Sequence, residues 1–143
     1  MLKWIAAYLA AGVVFIAADL TWITLTGPVL YQPVIGQLTS GTVDLKAGVA
    51  FYLIYLVGVM AFGVSAGLRA RVWTRALGSG ALFGLVAYAT YDLTNQATLK
   101  VWSTQLTLMD MAWGAVATGL ASSVGYAVAS HLSKAVAGSA QPS

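Results

Sequence analysis

The sequence contains no cysteine, which excludes disulfides, thiolate metal sites and cysteine nucleophiles. Its single histidine excludes His-rich metal centres and a bis-His haem held by one chain. Charge is also scarce: 8% of the 143 residues are charged, where a soluble domain carries about a quarter. The net charge of +3 is no nucleic-acid signal, because the basic residues fall between apolar segments instead of forming a patch. What is present is 59% hydrophobic, the composition of a membrane protein whose partners are lipids. This length suits one compact bundle and leaves no room for a second domain.

Four apolar segments follow one another, at about 4–25, 47–68, 76–98 and 107–132. Each reaches the roughly 20 residues that a membrane helix needs. The expected fold is all-α: a four-helix transmembrane bundle occupying residues 1–134, with a small, polar, flexible tail at 135–143. The opening Met1-Leu-Lys-Trp and the run after it have the form of a signal peptide. The apolar stretch continues through Trp22, Ile23 and Leu25, past any cleavage point, and this favours a retained helix. After it, Gly27 to Gly36 reads equally as a short interfacial element begun by Pro28 over the outer mouth of the bundle, or as an irregular hydrophobic loop. Asp44 is placed to N-cap the second helix.

Helix packing has its own signals. Gly63/Gly67 and Gly80/Gly84 are small-xxx-small pairs on either side of the turn at 69–75. They predict tight contact at that end, with the opposite ends free to splay. Gly114, Thr118, Ala121 and Gly125 form a similar stripe on the fourth segment. Three of the seven Lys and Arg residues, Arg69, Arg71 and Arg75, sit in that one turn. Lys3 and Lys134 fall on the same side, against Lys46 and Lys100 on the other. Positive loops stay in the cytoplasm, so both termini are expected there. Trp4 and Trp73 would mark the inner interface, and Trp22 and Trp102 the outer one.

The outer ends carry the chemistry. Tyr88-Ala-Thr-Tyr-Asp-Leu-Thr-Asn-Gln96 closes the third segment with a carboxylate, two phenols, hydroxyls and amides at or just inside membrane depth. Such groups are tolerated there only where they face protein or a wet cavity. Asp19 lies about 22 Å along its helix from Trp4 at 1.5 Å per residue, and Asp110 reaches a similar depth on the fourth segment. Leu85, Tyr88, Asp92, Asn95 and Gln96 are expected to share a face, as are Phe15, Asp19 and Trp22, while Trp113 follows Asp110 by one turn. The candidate ligand-binding set is therefore Asp19, Trp22, Tyr88, Tyr91, Asp92, Asn95, Asp110 and Trp113. If the three carboxyl groups meet, they cannot all carry charge without a cation or hydrogen-bond donors nearby.

Structural readings stand beside this one. Thr107-Leu-Met-Asp110 has the form of a capping box at the start of the fourth helix. Asp92 is placed to accept from Tyr88 or Lys100, whereas Asp19 has no basic neighbour on its own helix. His131 reads as interfacial, and Ser122 and Ser123 as packing residues. Oxygen ligands would suit a hard cation, but their spacing matches no recognised metal motif, and no metal or cofactor is assigned. Asp19-Leu-Thr and Asp92-Leu-Thr are identical triplets, each with an aromatic four residues before it, compatible with a 2+2 repeat or with chance.

Several stretches together resemble the DUF2177 family of small bacterial membrane proteins over nearly the whole chain. They are Asp19-Leu-Thr-Trp22, Phe51-Tyr-Leu-Ile-Tyr-Leu-Val-Gly58, Gly80-Ala-Leu-Phe-Gly-Leu-Val-Ala-Tyr88, Thr90-Tyr-Asp-Leu-Thr-Asn-Gln-Ala-Thr-Leu99 and Asp110-Met-Ala-Trp-Gly114. The family's aromatic-Tyr pair in the first outer loop is Leu30-Tyr31 here. The resemblance implies a four-helix protein of the bacterial inner membrane with Asp19, Asp92 and Asp110 at motif positions, and it implies no activity. Three functions remain open. The favoured one is binding or transport of a proton, cation or small polar ligand in an outward pocket, with a homodimer expected for transport. The others are Asp acid/base chemistry on a lipid, and a structural subunit of a larger membrane assembly.

Overall fold

A computed structural model describes residues 1–39 and 41–139, and among these the chain is helical without a strand. Four long helices run up, down, up and down: α1 (Leu2–Ile35), α2 (Leu45–Ala70), α3 (Trp73–Thr98) and α4 (Thr104–Ser139). Three of them, α1, α2 and α4, are long and apolar enough to cross a membrane. The exception, α3, has the length at 26 residues, but the polar run from Tyr88 to Gln96 dilutes its apolar character. Large apolar side chains such as Leu9 (61% exposed), Ile54 (73%) and Leu82 (62%) point outward. That surface would aggregate in water but is the one that hydrocarbon solvates.

The interior is built largely of small residues. Ala11, Ala117 and Ala121 are fully buried around Phe15, whose ring stacks on Tyr55 at 4.7 Å. Between lipid-embedded helices the gain comes from close van der Waals contact, not from expelling water, so small residues at the crossings matter most. Their effect is clearest where α2, α3 and α4 meet. A Cβ at either Gly63 or Gly80 would strike the side chain of Ser122. The expected tight packing at the turn between α2 and α3 is therefore present, and Ser122 fills it as a packing residue, as does Gly67 against Ala76 and Tyr126.

Away from that crossing α2 diverges from α3 and α4. Its half Val59–Ala70 packs on α3 and α4, whereas Leu45–Gly58 leans mainly on α1. A π-helical segment, Val59–Val64, marks the change: Ser65 N–H reaches the carbonyl of Met60, five residues back. Asp44 caps the start of α2 by accepting from the N–H groups of Lys46 and Ala47, as expected. At its other end Arg71 adopts a left-handed φ of 59°, a position where glycine is usual and another residue is strained by about 1–2 kcal/mol.

The segment after α1's apolar run is not a separate loop. It prolongs the helix through a π-helical turn, Gly27–Tyr31, and a last α-turn, Gln32–Ile35. Pro28 has no N–H for the α-helical ladder, and Gln32 N–H closes instead on the carbonyl of Gly27. The extra residue re-aims Tyr31 into the bundle. At the far end α4 continues through Ser139, past the expected limit near 132, and residues 140–143 of the expected tail lie outside the described residues.

The Gly63–Gly80–Ser122 crossing generates a test. Gly80→Leu should lower the unfolding temperature in detergent by the equivalent of about 1–3 kcal/mol, through overpacking. Gly78→Leu, on the same helix with nothing within 4 Å of its Cβ, should leave it nearly unchanged. Equal effects on thermal melts would rule out this crossing as the tight point.

Candidate functional site: a carboxylate and phenol cleft

At the end opposite the arginine turn, a cleft of about 430 Å³ opens between the divergent half of α2 and α3. Its lining is Asp19 and Ile23 of α1, Tyr31 from the π-turn, Phe51 and Tyr55 of α2, Ala87, Tyr88 and Tyr91 of α3, and Asp110 of α4. Every helix contributes. Phe51 and Tyr91 are half-exposed on α2 and α3, so the opening faces sideways between these helices.

Asp19 is 6% exposed and accepts two phenol protons, from Tyr52 at 2.8 Å and from Tyr88 at 3.2 Å, one on each carboxylate oxygen. Asp110, equally buried, accepts from the Tyr31 hydroxyl in a very short bond. Trp22 Nε1–H donates to the same Tyr31 oxygen at 2.8 Å, giving a directed chain Trp22–Tyr31–Asp110 across α1 and α4. Trp113 stacks flat behind Trp22 with ring centroids 4.7 Å apart, fixing the indole. Deeper, the Tyr55 hydroxyl pairs with Thr118 at 2.7 Å. The partners of both carboxylates are neutral phenols, so the hydrogen bonds satisfy the oxygens without cancelling their charge.

Asp92 is placed differently. It is fully buried, does not line the cleft, and neither of its oxygens has a hydrogen-bond partner among the described residues. It is within electrostatic reach of Asp110, which in turn feels Asp19. The expected bond from Tyr88 goes to Asp19 instead. Four residues along α3, Gln96 donates to Thr104 at 2.8 Å while its own oxygen is also buried and has no partner among the described residues. The two Asp-Leu-Thr triplets thus share only a local habit, since Thr21 and Thr94 each bond the carbonyl four residues back.

The sequence-derived set is therefore divided. Asp19, Tyr88, Tyr91 and Asp110 meet in the cleft, Trp22 acts through Tyr31, and Trp113 supports Trp22. Asn95 and Asp92 stand outside it, and Leu85, expected on the site face, is exposed. The capping-box reading of Asp110 fails. The fourth helix begins at Thr104 under Ser103, whose hydroxyl accepts from Leu106 N–H at 3.1 Å, and this leaves Asp110 two turns inside. Sequence reasoning missed Tyr52 and Tyr55 as site residues, and gave Tyr31 only an interfacial role. Two phenols three residues apart in the otherwise apolar Phe51–Gly58 run were the available signal.

Residues 4–127 match the family model described as "Predicted membrane protein (DUF2177)". No curated protein and no solved structure matches the chain.

The partner assignments separate the acids by stability. Tyr31→Phe strips Asp110 of its donor and should cost about 1–3 kcal/mol. Asp92→Leu removes a buried carboxyl that has no hydrogen-bond partner among the described residues, and should leave stability unchanged or raise it. Thermal unfolding of the purified variants reads both, and the opposite order would refute the assignment.

Proposed function

This chain belongs to the DUF2177 family of predicted membrane proteins, and on that premise we propose that it binds an amphipathic molecule with a cationic or hydrogen-bond-donating head. The observation that carries this reading is the pairing of two carboxylates, Asp19 and Asp110, in one cleft whose own donors are uncharged phenols. A cationic head entering between them supplies the missing charge, and Tyr31, Tyr52 and Tyr88 hold the acceptors in place for it. The cleft volume of about 430 Å³ suits a small ligand. The rest of the wall is apolar or aromatic, and the sideways opening past Phe51 and Tyr91 lets an apolar body extend toward lipid.

Acid/base chemistry on a lipid is the second reading of the same cleft. Both carboxylates, however, already act as acceptors of phenol protons, which suits holding a ligand better than donating a proton to one. We place the protein in a bacterial inner membrane. The excess of Arg69, Arg71, Arg75, Lys3 and Lys134 at one end supports cytoplasmic termini and an outward cleft. The absence of native cysteine makes the orientation simple to read. Gly41→Cys in whole cells should react with a membrane-impermeant maleimide and Val72→Cys should not; the reverse labelling would overturn the orientation.

Binding is tested with three twelve-carbon probes below their micellar concentrations: dodecylammonium, dodecanol and dodecanoate. Dodecylammonium should raise the unfolding temperature by about 2–5 °C, as binding to the folded state requires, and dodecanoate should not. Asp19→Asn combined with Asp110→Asn should abolish the preference. Equal stabilisation by dodecanoate, or a preference that survives in the double variant, would sink the proposal.

A further inference from the structure

We propose that the opposite end of the bundle carries a second site, for the phosphate headgroup of an anionic phospholipid. A cleft of about 770 Å³ lies there between α1, α2 and α4, and three cations line it: Lys3 of α1, Arg71 of the turn that follows α2, and Lys134 of α4. All four acidic side chains of the protein, Asp19, Asp44, Asp92 and Asp110, belong to the other end of the helices. These three cations therefore converge with no side-chain carboxylate to neutralise them, and an anion is the chemically matching occupant. Ser130, on the same lining, adds a hydroxyl that can donate to a phosphate oxygen. Arg71 occupies its place despite the left-handed backbone, where glycine would be relaxed.

A second feature distinguishes a lipid from a free anion. Trp4 lines this cleft and also an apolar groove of about 370 Å³ that continues along α1 and α2 past Ile5, Leu9, Val57 and Met60. Its ring sits beneath the Lys3 ammonium, 5.6 Å from the centroid. One molecule with a phosphate head and an acyl chain fills both spaces, and soluble phosphate fills only one. Basic pockets between membrane helices recognise lipid headgroups by this combination. The site shares no residue with the carboxylate cleft and does not depend on its function.

The test is native mass spectrometry of the detergent-purified full chain, titrated with phosphatidylglycerol, with phosphatidylcholine, and with inorganic phosphate as competitor. Phosphatidylglycerol should bind at least about tenfold more tightly than phosphatidylcholine, since each Lys or Arg near an anionic headgroup contributes about fivefold. Lys3→Gln/Arg71→Gln/Lys134→Gln should bring the two lipids within about threefold. Arg69→Gln/Arg75→Gln, at the same end but outside the cleft, should keep the preference. Equal binding of both lipids by the wild type would overturn the site, as would an equal loss in the two variants. Displacement of phosphatidylglycerol by millimolar phosphate would overturn the lipid assignment in favour of a free-anion site. If the triple variant does not fold, the single variants Arg71→Gln and Lys134→Gln decide: each should lose about fivefold, and unchanged binding in both refutes the proposal.

Discussion

The close crossing of α2, α3 and α4 at Gly63, Gly80 and Ser122 is the constraint from which the rest of the architecture follows. Helices held in contact at one end by side chains of minimal size must diverge where larger ones begin. On α2 the large ones are Phe51, Tyr52 and Tyr55, and on α3 they are Phe83, Tyr88 and Tyr91. The π-helical segment at Val59–Val64 absorbs the change in direction, and the divergent halves enclose a cleft without any loop having to line it. A bilayer favours this solution, because every backbone group stays inside a helix while the side chains alone form the polar surface.

Within that cleft, hydrogen bonds do the work that ion pairs would do in a soluble core. Asp19 and Asp110 are each tied to phenols from another helix, and the Trp22–Tyr31–Asp110 chain links the tip of α1 to α4. Phenols satisfy the carboxylate oxygens yet leave the site electrostatically unbalanced, and this imbalance is the basis for proposing a cationic ligand. Asp92 has neither the phenols nor the cleft. A fully buried carboxyl without a partner is costly, and the structure offers no packing reason for an acid there.

The two ends of the molecule are chemical opposites. Acids gather with phenols at one, and cations gather with serine and an exposed indole at the other. Both clefts border apolar surface, so each presents a charged floor with an oily rim. Two sites of that form, of opposite sign, would let one small bundle contact lipid differently in the two leaflets.

Composition and spacing alone determined the membrane class, the four helices, the tight end marked by glycine pairs and the cap at Asp44. Each of these depends on residues close in sequence or on total apolar content, which a one-dimensional reading registers. Which acids would meet was decided only in three dimensions. Asp92 and Tyr88 are one helical turn apart and were expected to act together, but Asp92 is fully buried away from the cleft while Tyr88 lines it. Tyr31 entered the site because a π-turn prolongs α1, and Asp110 lies inside its helix because Ser103 holds the cap. Such outcomes turn on backbone register and on partners up to 79 residues away, as between Tyr31 and Asp110, and no local pattern encodes them.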